Sequence, residues 1–215
     1  LIEIDNKPMI QWVIESLNLE GNFIFIVQKE HQEKYNINSV LKILKPNCKI
    51  IELDHITEGA ACTTLLAKKF ITTSNPLIIA KSDQYIKWDS IKSMYNYNQK
   101  KIDGSILTFE AIHPKWSYAK TDKNNFVTEV AEKKVISKNA TVGVYYWKKG
   151  SDYVNCAETM IKKNIRVNNE FYVCPVYNEA IGEGKKIVID KVSEMHGLGT
   201  PDDLKNFITK KNLTN

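Results

Sequence analysis

The sequence predicts an α/β protein, a mostly parallel mixed sheet covered by helices on both faces, with antiparallel additions in its second half. Three observations carry this. Strand-like runs alternate with amphipathic stretches over residues 8–99. The runs are apolar at successive positions, as in "FIFIV" (23–27) and "LIIA" (77–80), which is the pattern of strands buried on both faces. Beyond residue 103 strand-like segments follow one another directly, two of them joined by the polar turn Asp122-Lys123-Asn124-Asn125, as antiparallel neighbours do.

The elements follow in order. "NKPMIQWVIESLN" (6–18) is a short amphipathic helix with Pro8 suited to its first turn. Residues 22–28 form a strand, followed by helical "KEHQEKYN" and "INSVLKILK", and "CKIIEL" (48–53) is the next strand. After the loop "DHITEG", "AACTTLLAKKFI" (60–71) has helical spacing. The strand in "NPLIIA" (75–80) breaks at Ser82-Asp83-Gln84, and "DSIKSMYNYNQK" (89–100) is helical. Strands follow at "DGSILTFEAI", within "SYAKTDKNNFVTEVAEK" (two) and at "NATVGVYYW". Ser151 opens the helix "SDYVNCAETMIKKN", "CPVYNEAIGEG" is a helix ending in glycine, and "KKIVIDKV" is a strand. Thr200 caps a closing helix, "TPDDLKNFITKKN". No repeat, low-complexity tract or linker interrupts residues 1–215, which read as a single domain.

Composition excludes several function classes. The net charge of +5 comes almost entirely from lysines interleaved with acids, and Arg166 is the sole arginine. Nucleic-acid binders cluster their basic residues and use arginine for base readout, so no nucleic-acid partner is expected. No apolar run is long enough to span a membrane. The four cysteines, Cys48, Cys62, Cys156 and Cys174, lack metal-ligand and disulfide spacing and read as the reduced thiols of a cytoplasmic protein. "LIEIDNKPMIQW" sounds like the middle of a domain, so the chain reads as a fragment. A homo-oligomer is compatible with everything above.

Ligands of open α/β sheets bind outside the carboxyl ends of the strands, where Asp83 stands. On its own stretch Asp83 reads better as a solvated turn residue or an N-cap, and the rest of the chain decides. His113 and His196 read as structural or exposed, and Trp88, Trp116 and Trp147 as core or pocket wall.

Several segments together resemble the sugar-phosphate nucleotidyltransferases, or pyrophosphorylases. These have a Rossmann-like three-layer fold related to the GT-A glycosyltransferases, and join a nucleoside monophosphate from an NTP to a phosphorylated acceptor with release of pyrophosphate. The resemblance spans nearly the whole chain, to "GLGTPDDL". "TEGAACT" is similar to the nucleotide loop, which implies substrate contacts for Glu58 and for Gly59, where the backbone approaches the base. In "SDQY" the resemblance implies that Asp83 binds Mg²⁺, with Ser82 beside the substrate. "SYAK" is similar to a sugar-contacting segment with Ala119 replacing the usual glycine, and "VAEKK" implies Glu132 on sugar hydroxyls and Lys133 on the acceptor phosphate. "TVGVYY" brings Thr141 and Gly143 to the sugar pocket, and "NNEFYV" brings Glu170 and Tyr172 near it.

Three departures qualify the resemblance. The family's first strand and Gly-rich triphosphate loop are missing, so residues 1–215 alone are expected to be inactive. Gly197 stands where many members place a second metal-binding Asp. Asp54 stands about where several uridylyl and thymidylyl enzymes place Gln; a carboxylate accepts from the exocyclic amine of cytosine or guanine, which favours CTP, then GTP. As a loop or turn carboxylate Asp54 has a simpler reading, which stands ahead of a base-reading role. The resemblance implies a role in nucleotide-sugar and surface-polysaccharide metabolism, with a sugar 1-phosphate as acceptor. The alternatives are cytidylyl transfer to a non-sugar phosphate such as phosphocholine, and a non-catalytic binding paralogue.

Overall fold

A computed structural model describes residues 2–212; Leu1 and residues 213–215 lie outside it. The strands are β1 (Glu3–Ile4), β2 (Lys7–Pro8), β3 (Ile24–Gln28), β4 (Lys49–Leu53), β5 (Leu77–Ala80), β6 (Gln84–Lys87), β7 (Gly104–Glu110), β8 (Tyr118–Thr121), β9 (Val127–Ala131), β10 (Asn139–Trp147), β11 (Ile187–Lys191) and β12 (Glu194–Gly197). The helices are α1 (Met9–Leu17), α2 (Lys29–Tyr35), α3 (Ile37–Leu44), α4 (Ala60–Leu65), α5 (Lys68–Ile71), α6 (Ser90–Gln99), α7 (Gly150–Lys162), α8 (Val176–Gly182) and α9 (Pro201–Asn212).

The fold is the Rossmann-like α/β arrangement, with a mixed central sheet. β11 pairs parallel with β7, and β10 runs antiparallel to both β7 and β5. Thus β5, β7 and β11 share one direction with β10 reversed among them. β8 touches β10 through Tyr118 and Ala140 and pairs antiparallel with β9. β3 and β4 form a separate parallel pair. Along β10 successive side chains face opposite layers. Tyr145 and Trp147 join the cluster under α7 and α8, where Trp147 stacks on Tyr177 with centroids 4.3 Å apart. Val142 and Val144 face the layer that holds Leu17 of α1 and Trp88.

Three local expectations are corrected. The stretch 60–71 is two helices, because the Thr63 and Thr64 hydroxyls bond back to the carbonyls of Gly59 and Ala60 and compete with the helical ladder. Ser151 is not the cap of α7. That helix starts at Gly150, and the first N–H groups, of Gly150 and Ser151, donate to the carbonyls of Asn75 and Thr73, which replaces a side-chain cap. The strands β1, β2, β6 and β12 were not anticipated; each has two or four residues, too few for a periodic signal. Thr200 does cap α9: its Oγ accepts from the N–H of Asp203 at 3.2 Å.

One region is open. Among the described strands β3 pairs only with β4, and β5 only with β10. Two adjoining cavities, of about 370 and 520 Å³, lie between β3 and β5. Ile24 and Phe25 line one wall and Leu77, Ile78 and Ala80 the other; α1 closes one face and α4 and α5 the opposite one. The apolar strands β3 and β5 are consequently only half-buried, whereas β10 is buried along nearly its whole length.

Asp190 fixes α6 to the sheet. Its Oδ2 accepts from Trp88 Nε1 at 3.0 Å, Ser93 Oγ at 2.5 Å and Tyr97 Oη at 2.6 Å. Asp190→Ala removes the shared acceptor of these three donors, and Trp88 keeps only Ser93 Oγ, at 2.9 Å. We expect a loss of about 2–5 kcal/mol in urea unfolding with an unchanged slope.

Candidate active site

The carboxyl end of β5 runs through Lys81 and Ser82 into Asp83, all exposed. The Asp83 backbone carbonyl accepts from Leu198 N–H at 2.8 Å, which ties this turn to the "GLGTP" segment. Gly199 faces the carboxylate, and a Cβ there would stand 2.6 Å from Asp83 Oδ2. Glycine at 199 therefore leaves the carboxylate its place. Among the described residues no cation or donor pairs with that carboxylate, and none of them forms a cluster of three or more metal-binding side chains. An unpaired hard oxygen ligand at a strand end fits Mg²⁺, which commonly takes one or two carboxylates and completes its shell with phosphates and water. At Gly197 the neighbouring space holds the Asp203 carboxylate, 3.3 Å from where a Cβ would stand.

Glu132 and Lys133 follow β9 directly. Residues adjacent on a regular strand face opposite sides, but here the strand ends at Ala131 and Lys133 turns to φ +54°, so Glu132 lines the cavity and Lys133 reaches its rim at Tyr172. The Glu132 carboxylate accepts from Ser117 Oγ. Burial raises its pKa, opposed by the Ser117 hydrogen bond and the charges of Lys81 and Lys133. Lys133 Nζ donates to Tyr172 Oη at 2.7 Å and sits 4.9 Å from the Tyr172 ring centroid. That hydrogen bond is the main cause of the raised pKa of the ammonium.

Ser82, Asp83, Glu132, Gly143 and Tyr172 all line the larger cavity, with Ser117, Tyr145 and Cys174 on its inner wall. Lys133 stands at its rim through Tyr172. Other candidates stand apart from the lining. Ala119 is fully buried within β8, and its side chain belongs to the core. Its carbonyl accepts from Ser137 Oγ and Asn139 Nδ2. Thr141 is also buried, with its hydroxyl 3.2 Å from that of Tyr145. Glu170 is exposed and acts electrostatically on Glu132, Lys133 and Tyr172. Asp54 is exposed and hydrogen-bonded to His55 Nδ1 at 2.5 Å, which lowers its pKa.

The nucleotide-like loop is strapped to the "NNEFYV" segment. Phe171 N–H donates to the Glu58 carbonyl at 2.8 Å, and Ala61 N–H to the Phe171 carbonyl at 2.9 Å. A Cβ on Gly59, whose φ is +125°, would meet the Phe171 carbonyl oxygen at 2.5 Å, so the backbone that approaches Gly59 is that of Phe171. Arg166 binds the Glu58 carboxylate and lies 4.0 Å from the Phe171 ring centroid. Lys81, Ser117, Gly199 and Arg166 were not singled out as site residues from sequence. The available signals were Lys81 beside "SD", Ser117 beside "YAK", and the uniqueness of Arg166.

One cavity at a strand end thus brings together an unpaired carboxylate suited to a hard cation and a half-buried acid, with a lysine at its rim. A family profile described as "Nucleotidyl transferase" matches residues 1–204, and the chain belongs to that family. Its reaction class is therefore nucleotidyl transfer. No curated protein sequence matches it. Solved structures share the fold. A nucleoside-diphosphate-sugar pyrophosphorylase from Vibrio cholerae is 21% identical with a TM-score of 0.80, over 97% of this chain and 90% of that one. A UDP-glucose pyrophosphorylase complexed with UDP-glucose is 13% identical with a TM-score of 0.75, over 100% and 90%. A putative glucose-1-phosphate thymidylyltransferase from Bacillus anthracis is 16% identical with a TM-score of 0.75, over 98% and 85%.

The raised pKa of Glu132 makes a stability prediction. The folded state holds this proton more tightly than the unfolded chain does. Its contribution is therefore fully present below the unfolded pKa and is lost as pH rises through the folded pKa. Glu132→Gln should make the protein more stable than the parent at pH 7, with the difference disappearing at pH 4 and below in thermal melts.

Proposed function

We propose that the protein transfers a nucleoside monophosphate from an NTP to a sugar 1-phosphate and releases pyrophosphate. The observation that carries the reading is the gathering of Ser82, Asp83, Glu132, Gly143 and Tyr172 around one cavity, with Lys133 at its rim. An acceptor phosphate is already ionised and attacks the α-phosphorus in line, so the protein's work is positioning and charge neutralisation. Lys133 offers an ammonium to the acceptor phosphate, and Glu132 accepts from sugar hydroxyls. Asp83 would hold Mg²⁺, whose charge neutralises the phosphates. The UDP-glucose held by one structural relative supports a nucleotide sugar as the product class. Phosphocholine with CTP is the alternative acceptor.

The open slot between β3 and β5 supports the reading that residues 1–215 lack the family's first strand and triphosphate loop and do not turn over alone. The same slot suits a non-catalytic nucleotide- or sugar-binding paralogue. The preference for CTP or GTP rests on Asp54, and a donor screen favouring UTP or dTTP would defeat it. The reading gives the protein a cytoplasmic place in nucleotide-sugar and surface-polysaccharide synthesis, which the four free thiols suit; among the described residues no helix is long and apolar enough to cross a membrane.

Equilibrium binding tests the reading without requiring turnover. The chain should bind glucose 1-phosphate and an NTP, the latter more tightly with Mg²⁺. Lys133→Met should weaken the sugar phosphate about ten- to a hundredfold and leave the NTP unchanged. Asp83→Asn, and Gly199→Ala by displacing the carboxylate, should both remove the Mg²⁺ dependence of NTP binding. Failure to bind any phosphorylated acceptor defeats the proposal, and tighter binding of phosphocholine than of glucose 1-phosphate selects the alternative.

A further inference from the structure

Lys81 is the basic side chain of this cavity that neither the motifs nor the resemblance assigns. Its backbone N–H donates to the Gly143 carbonyl at 3.1 Å. Its stem then lies across Gly143, with Cδ and Cγ 2.7 and 2.9 Å from where a Cβ would stand. Gly143 has φ +79° and sits where the β10–β7 register shifts. The bulge and the missing side chain together make a groove for the lysine stem, so the ammonium is aimed by the backbone. In the same corner Gln84 is 4% exposed, with Oε1 3.1 Å from that Cβ position, and its Nε2 meets no partner among the described residues.

The charge is uncommitted. Among the described residues no carboxylate lies within ion-pair distance of the Lys81 ammonium and no acceptor takes a hydrogen bond from it. Lys133, by contrast, is already bonded to Tyr172. Lys81 is nevertheless near enough to Glu132 to act on its carboxyl more strongly than Lys133 does. It lines the same cavity as that acid and as Asp83, two residues along the chain. An unpaired ammonium in a cavity also lined by carboxylates has one useful ligand there, an anion larger and more charged than either.

Resting on the transfer reading above, we infer that Lys81, laid over Gly143 on the cavity wall, binds the phosphate monoester of the acceptor, with Gly143 as the residue that aims it. Lys133 then reaches the same phosphate from the rim. A dianionic monoester takes two cations, whereas a neutral sugar takes none.

The test is calorimetric titration of the 215-residue chain and its Lys81→Met variant with glucose 1-phosphate, methyl glucoside and an NTP between pH 5 and 8. Methionine keeps an unbranched stem over Gly143, and circular dichroism checks the fold. The parent should bind glucose 1-phosphate more tightly as the second phosphate ionisation, near pH 6, supplies the dianion. Lys81→Met should weaken it about tenfold or more at pH 8 and flatten that pH dependence. NTP binding, and any binding of methyl glucoside, should stay unchanged. A steep, parent-like profile in Lys81→Met overturns the role of Lys81 while the transfer reading stands. Equal losses for glucose 1-phosphate and NTP overturn it as well, because the residue is then structural. A parent chain that binds no phosphate monoester overturns both.

Discussion

The fold depends on strand β10 being accepted by both layers at once. Its valines face one helical layer and Tyr145 and Trp147 the other, so burial on each face holds the strand in register. Its edges receive β7 on one side and β5 with β8 on the other. A one-residue slip would exchange the two faces and every partner. The strand tolerates one irregularity, the bulge around Gly143. The regular part of β10 carries the structural burden, and its interruption shapes the wall of the site.

The site is assembled in the same way, from places where regular structure stops. β5 ends before Asp83, β9 ends before Glu132, and α4 begins after Gly59. Backbone at such ends is free to aim adjacent residues together, as Lys133 does at φ +54°. The segment 166–172 binds both regions, through Arg166 and Phe171 to the nucleotide-like loop and through Tyr172 to Lys133. The two halves of the cavity are therefore tied together by a few residues of one segment.

Much of this was legible in the residues. The apolar runs 23–27 and 77–80, the turn at 122–125 and the cap at Thr200 fall in the expected elements, because each depends on local pattern or local chemistry. The short strands β6 and β12 were not legible; their pairing joins residues more than a hundred positions apart. For the site, motif order named residues from Asp83 to Tyr172 that surround one cavity, but said nothing of orientation. Ala119 and Thr141 lie in the right segments yet turn inward. Lys81 could not be found from spacing, since its importance comes from the space left by a glycine sixty-two positions away.

The slot between β3 and β5 bears on how the protein behaves in solution. Each of these strands presents an unpaired row of amides and carbonyls on an apolar background, the condition under which chains add strands to one another. Helices on both faces shield the rows from broad encounter but not from a narrow extended segment. Self-association of this chain should therefore begin here, as ordered strand exchange between copies. It should respond to concentration more than to salt, because the facing stretches of both strands are apolar.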